Sequence, residues 1–180
     1  MIKQRLEKEE GAVTFEKATL RQLNRIMQMI DEAKVIMRES GINQWQDGYP
    51  NANTIETDIT NGSSYVVRDG GEVVGYGVLL FGIDPIYNTF VGKFAGADKP
   101  YAAIHRVVTC QKSKRKGIAT FIMENFQRMV LQRGINWLRI DTHRDNIPMK
   151  GLISKFGFTQ VGTITIETGA QRNTYEKRLN

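Results

Sequence analysis

The chain has 180 residues, 41% of them hydrophobic, with 25 lysines and arginines against 19 acidic residues and a formal net charge of +6. Such a length and apolar content suit one domain with a substantial core, and no apolar run approaches the length of a membrane span. The basic balance suits an anionic ligand or surface without choosing among them, and Cys110, the lone cysteine, has no partner for an intrachain disulfide, which fits a reducing, cytoplasmic setting.

Residues 1–10 are charged throughout and lack an apolar signal core, so they are expected to form a flexible extension to a single domain over 11–180. Val13 and Phe15 alternate in a first strand over 12–17. Thr19 and Gln22 have capping-box spacing, and Leu20, Leu23, Ile26, Met27, Ile30, Ala33 and Met37 form the apolar stripe of a helix ending near Gly41. The loop over 41–50 carries Trp45, Tyr49 and three amide side chains. Aromatic faces there either line a pocket for alkyl or cationic groups or plug the loop onto the core. Asn53 and Glu56 are spaced to cap a short helix through Ile59, ended by Asn61-Gly62.

Strands over 64–68 and 73–81 flank Asp69-Gly70-Gly71, a hairpin signal. Gly75 and Gly77 alternate in the second, marking a bulge, a close approach of another segment, or a weakly specified strand. The connection over 82–100, with Asp84-Pro85, Tyr87, Phe90 and Phe94, is long enough that it either folds locally or serves a site. An apolar strand over 101–109 then runs into Lys114-Arg-Lys-Gly-Ile-Ala-Thr120. Ile118, Phe121, Ile122, Phe126, Met129 and Val130 follow at helical spacing. A strand, a basic loop with glycine and a helix start make a good anion cradle, because free N–H groups and the helix dipole converge there. Neither the Walker A nor the Rossmann glycine spacing is present. Further strands are expected over 137–142, 158–167 and 172–177, with a helix over 147–156 and a turn at Thr168-Gly169-Ala170.

Lys114-x-x-Gly117-x-Ala119 resembles the Arg/Gln-x-x-Gly-x-Gly/Ala signature of the GNAT superfamily of N-acetyltransferases, with Lys in the first place. Asn146 through Gly157-Phe158 is similar to that superfamily's Asn-x-x-Ala-x-x-Leu-Tyr-x-x-x-Gly-Phe segment, and the two matches cover about a third of the chain. The resemblance implies an α/β (α+β) fold with a mixed, mostly antiparallel six- to seven-stranded sheet and helices on both faces. It also implies acetyl-coenzyme A as co-substrate, with no metal. Its pyrophosphate would lie on Lys114, Arg115, Lys116, Gly117, Ile118, Ala119 and Thr120, and its pantetheine arm along Val107, Val108 and Thr109 and beside Asn146. The loop with Trp45 and Tyr49 would border the acceptor. Ile153 stands where the superfamily often has a Tyr acid, so a proton for the departing thiolate must come from elsewhere or from solvent.

Acetyl transfer to an amine needs an unprotonated nitrogen, a polarised thioester carbonyl and a stabilised thiolate. His105 and His143 lie on strands beside the expected cleft, and imidazole, with an unperturbed pKa of about 6.5, is a suitable proton acceptor. Asp141, two residues before His143, is placed to attract a cationic amine, and Tyr175 is a candidate acid. Asn146 also suits a helix N-cap before Pro148. The expected activity is N-acetylation of a primary amine by direct attack in a ternary complex, on a small molecule or a peptide. The rivals are a non-catalytic acyl-coenzyme A binding module, which Ile153 favours, and a nucleic-acid binder. Against the latter, the basic cluster occupies one turn without interleaved aromatics. Exposed sheet edges and the final hairpin leave a homodimer open.

Overall fold

The computed structural model describes residues 13–180; the extension expected over residues 1–10 lies outside the described residues. In chain order the elements are β1 (Thr14–Lys17), α1 (Leu23–Glu39), α2 (Ala52–Thr60), β2 (Ser64–Asp69), β3 (Glu72–Phe81), β4 (Val91–Gly92), β5 (Tyr101–Thr109), α3 (Ile118–Gln132), β6 (Trp137–Thr142), α4 (Ile147–Lys155), β7 (Thr159–Thr165) and β8 (Gln171–Arg178). The strands form one sheet in the order β1-β2-β3-β5-β6-β8-β7-β4. Among the described residues only β5 and β6 pair in parallel. The sheet has eight strands rather than six or seven, because part of the long connection adds β4 to the edge of β7. Among the described residues, no helix is long and apolar enough to cross a membrane.

Strand register decides which side chains share a face, since neighbouring residues point to opposite sides. Val78 pairs with His105, Ala103 with Arg139, Asp141 with Thr174 and Arg139 with Glu176. His105, Asp141, Thr174 and Arg172 therefore project from the same face. α2 covers part of this face, where the Tyr76 hydroxyl donates to Asp58 at 2.9 Å. The opposite face carries Gly75, Gly77, Ile104, Ile140 and Tyr175, and α3 packs on it. A Cβ at Gly75 would lie 2.7 Å from Ile118, and one at Gly77 would lie 3.1 Å from Ile122 and Phe126. Close approach of α3 is thus the reason for both glycines, and it sets the height of the helix start above the sheet.

Two irregularities position the site. β5 and β6 pair only from Tyr101↔Trp137 to Ile104↔Ile140, although β5 runs on to Thr109, so the two strands part at their C-terminal ends. On the other side of β5, Gly77 alone opposes Arg106 and Val107, because Tyr76 pairs with Val108 and Val78 with His105. This is a β-bulge, and it carries Arg106 at φ 51, an uncommon conformation for a residue with a side chain.

Two local expectations need correction. The cap of α2 is Asn51, not Asn53: its Oδ1 accepts the Thr54 N–H at 3.1 Å, and Thr54 Oγ1 in turn accepts the Asn51 N–H at 3.3 Å. The reciprocal pair sits two residues earlier because Thr serves as well as Glu at the third helical position. Leu20 is exposed rather than part of the core stripe, since it falls in a 3-10 turn ahead of α1. The connection over 82–100 both folds locally and reaches the site. Arg139 is sandwiched 3.6 Å from the Phe94 ring and 3.7 Å from that of Tyr101, and pairs with Glu176 at 3.3 Å. Glu176 also accepts the Ala95 N–H at 2.8 Å, which fastens the connection to the sheet.

Candidate active site

A cleft of about 1070 Å³ opens where β5 and β6 part, running from the start of α3 to the loop over 41–50. At one end is the basic turn. Lys114 and Ala119 line the cleft; Arg115, Lys116 and Gly117 are exposed beside it, and the Ile118 side chain is buried under α3. Gly117 has φ 79 and no atom within 4 Å of where a Cβ would lie, so the left-handed turn rather than crowding calls for glycine. The first-turn N–H groups of Ile118, Ala119 and Thr120 have no helical acceptor and remain free for an anion. α4 contributes a cation that the sequence reading did not single out: Lys155 lines the cleft and donates to Thr120 Oγ1 at 3.0 Å.

Along the middle, Val107, Val108 and Thr109 line the cleft beyond the last β6 partner. Their peptide groups on the open side are available to an extended chain, as at a sheet edge. Asn146 has two tasks. Its Oδ1 accepts the Met149 N–H at 3.2 Å, capping α4, and its Nδ2 donates to Gln44 Oε1 at 2.9 Å. The site can thus hold a pyrophosphate at the turn and an extended arm along the strand; the cradle, the unpaired strand and the basic side chains all fit coenzyme A.

At the other end, the loop over 41–50 is tied to α1 by Gln46 Nε2 donating to the Lys34 carbonyl at 3.0 Å and by Lys34 donating to the Pro50 carbonyl at 2.6 Å. Trp45 and Tyr49 both line the cleft, and Trp45 also packs against the core, so the two roles weighed for it coexist. The Tyr49 hydroxyl accepts a hydrogen bond from Arg106. Arg106 in turn grips buried Asp58 with Nε and a second guanidinium nitrogen at 2.7 and 2.6 Å. Packing raises the Tyr49 phenol above its ordinary pKa against the opposing pull of Arg106, so it stays protonated at neutral pH.

The acid–base candidates divide by face. His105 lines the cleft with Nε2 2.6 Å from Asp84 Oδ2 and Nδ1 3.8 Å from Asp141 Oδ1. Asp141 lines the cleft as well, and its Oδ1 is buried without a hydrogen-bond partner among the described residues. Burial pushes the Asp141 carboxyl above its ordinary value, with His105 and Arg172 opposing. Burial would also raise Asp84, but the hydrogen bond and charge of His105 hold it below its ordinary value. His143 is not brought to the cleft wall. It follows the end of β6, and its Nδ1 accepts the Asp145 N–H at 3.2 Å. Tyr175 pairs with Ile140 and is buried in the core on the opposite face from His105, so strand parity keeps its hydroxyl away from the cleft. Ile153 is likewise core and supplies no proton.

Sequence reasoning passed over Asp58, Asp84, Arg106, Gln44, Lys155 and Arg172. A signal existed for Arg106, a charge inside an otherwise apolar strand, and for Asp84, the acidic residue opening a long connection. Among the described residues three non-glycine residues have positive φ, Trp45, Arg106 and Arg115, and each belongs to a segment bordering the cleft. Such conformations concentrate where a structure holds a ligand.

Comparison with known proteins adds the following. The family model described as acetyltransferase (GNAT) family matches residues 26–158. No curated protein matches the chain significantly. Among solved structures, a GNAT-family acetyltransferase from Streptococcus agalactiae 2603 is similar with a TM-score of 0.83 and 26% identity, over 93% of this chain and 96% of that one. A GNAT-family acetyltransferase from Listeria monocytogenes 4b F2365 has a TM-score of 0.72 at 16% identity, over 93% of this chain and 95% of that one. The NatC complex bound to Gag peptide and CoA contains a chain with a TM-score of 0.68 at 12% identity, over 93% of this chain and 99% of that one; at this identity the likeness is one of fold.

Proposed function

The chain belongs to the GNAT family of acetyltransferases, and from that premise we propose that it acetylates a small primary amine by direct attack on acetyl-coenzyme A, with His105 as the proton acceptor. Family membership makes it an acyltransferase and sets aside the binding-module and nucleic-acid readings. The observation that carries the finer reading is the placement of His105 on the open wall of the split strands, with one ring nitrogen engaged and the other facing the acceptor end.

Bound acetyl-coenzyme A supplies the activated acetyl group. Asp84 takes the Nε2–H of His105, which leaves the Nδ1 lone pair to accept a proton from the incoming amine. Asp141 Oδ1 offers an acceptor to a second N–H of the same nitrogen. A backbone N–H of the bulge at Arg106 and Val107 is placed to polarise the carbonyl oxygen. As the C–N bond forms and the C–S bond breaks, the amine proton goes to His105. The departing sulfur takes a proton from the Tyr49 hydroxyl, which Arg106 orients. Solvent then returns Tyr49 and His105 to their starting states.

The Trp45 and Tyr49 loop borders the acceptor end with aromatic faces, which supports a small molecule over a peptide. The lone, buried Cys110 is consistent with a reducing compartment, and we place the protein in the cytoplasm. The test is release of free thiol from acetyl-coenzyme A with a panel of amines and peptides. We expect turnover with small amines that drops steeply in His105→Gln; equal turnover in the variant removes His105 from the reaction.

A further inference from the structure

The acceptor end holds charges and orphaned polar atoms beyond those that proton transfer needs. Arg172 lies on β8 and lines the cleft, yet only 6% of the residue is exposed. Among the described residues its side chain makes one hydrogen bond, to the carbonyl of its neighbour Gln171 at 3.2 Å, and no ion pair. The acidic groups whose charges reach it are Asp141 and Asp47, both of which line the cleft, and its own charge acts on His143. The guanidinium thus reaches the cleft without a counter-charge of its own, and a ligand anion would supply what is missing.

The same face carries two more unmet groups. Asp141 and Thr174 are cross-strand partners, and both Asp141 Oδ1 and Thr174 Oγ1 are buried without a hydrogen bond among the described residues. Arg172 is the diagonal neighbour of Asp141 in this antiparallel pair, a separation of about 7–8 Å between backbones. His105 Nδ1 stands 3.8 Å from Asp141 Oδ1, too far for a direct hydrogen bond and suited to a nitrogen that bridges the two. A cation-seeking pair and an anion-seeking group thus face the same space a few ångströms apart.

Resting on the acetyltransferase reading, we propose that the acceptor is a small amine carrying its own anionic group, a carboxylate or phosphate a few bonds from the nitrogen, with the nitrogen against His105 and Asp141 and the anion on Arg172. A peptide N-terminus, whose nearest group is an uncharged amide, leaves Arg172 unpaired and is disfavoured. Arg172 is then a specificity-determining residue, while the acetyl chemistry stays with His105.

The experiment compares α-amino acids and aminoalkyl phosphates with the matching amines that lack the anion, and with short peptides, for the wild type, Arg172→Gln and Arg172→Lys. Calorimetric titration of each protein with coenzyme A and a thermal melt run alongside. The wild type should prefer one anionic class by about 100-fold in kcat/KM over its uncharged counterpart, as for a site with polar groups built to meet the ligand. Arg172→Gln should collapse that preference to a few-fold through KM, and Arg172→Lys should restore part of it. Whichever class is preferred identifies the anion. Uncharged amines or peptides used as well as the anionic ones, with coenzyme A still bound, overturn the proposal and leave the acetyltransferase reading standing. If coenzyme A binds and no amine reacts, the acetyltransfer reading fails instead. Calorimetry of the anionic amines on the coenzyme A complex then decides the seat: binding lost in Arg172→Gln supports it, and no binding overturns it.

Discussion

His105 Nε2 lies 2.6 Å from Asp84 Oδ2, so a residue of the connection between β3 and β5 fixes the orientation of the imidazole on β5. The contact determines which ring nitrogen carries the lone pair toward the acceptor. Replacing Asp84 by Asn removes the charge and favours the wrong tautomer, which should lower kcat by about 10²-fold or more with coenzyme A affinity unchanged. Steady-state kinetics beside calorimetric titration check this. Unchanged kcat shows that the pair only packs.

Asp84 and Asp141 make opposite contributions to stability against pH. The folded pKa of Asp84 is lowered, so its stabilisation is complete above the unfolded carboxylate value of about 3.9 and is lost as pH falls through the lower folded value. The folded pKa of Asp141 is raised, so its favourable contribution is complete below about 3.9 and is lost as pH rises through the raised folded value. Ionised Asp141 therefore weakens the fold at neutral pH. Asp141→Asn should gain about 1 kcal/mol there, a rise of about 2–4 °C in Tm that vanishes near pH 4. The same variant should bind the acceptor less well. Thermal melts across pH read the first effect, and a lower Tm than wild type at pH 7 contradicts it.

Arg106 meets Asp58 with two hydrogen bonds in a nearly buried pair. Arg106→Leu leaves the Asp58 charge without its partner, which should destabilise the protein by about 3–5 kcal/mol. A double variant that also replaces Asp58 by Asn should recover much of this. Denaturant unfolding of the two single variants and the pair measures the coupling.

Gly75 faces Ile118, the first residue of α3. A methyl group at Gly75 must push that helix start outward, so Gly75→Ala should cost about 1–3 kcal/mol and weaken cofactor binding without touching the cofactor. Tyr175→Phe, by contrast, should change turnover less than about two-fold, because the hydroxyl lies on the other face of the sheet. A large loss of activity in Tyr175→Phe contradicts the register assigned to β6 and β8.

Much of the frame was legible because periodicity and local chemistry agree. The apolar stripe of α1, the hairpin at Asp69-Gly70-Gly71, the basic turn before α3 and the Asn146 cap each follow from residues close together in the chain. The acceptor end was less legible because it is assembled across the sheet. Asp84 meets His105 across 21 positions and Arg106 meets Asp58 across 48, separations that no spacing rule encodes. Tyr175 illustrates the same limit. Its place on a strand could be read, but its face depends on pairing with Ile140, and a shift of one residue would have turned it toward the cleft. Gly75 and Gly77 lie between these cases. Their alternation signalled a close approach without naming α3 as the partner.

The cradle at Gly117 carries the account, and calorimetric titration of acetyl-coenzyme A into the wild type and Gly117→Asp tests it most directly, with thermal melts to show that both are folded. Asp would have to adopt φ 79 and would place negative charge among the free N–H groups of the helix start. Saturable binding by the wild type, abolished in a folded Gly117→Asp, is the predicted result. Equal affinity in the two proteins, or no binding by the folded wild type, contradicts the assignment of this cleft to coenzyme A.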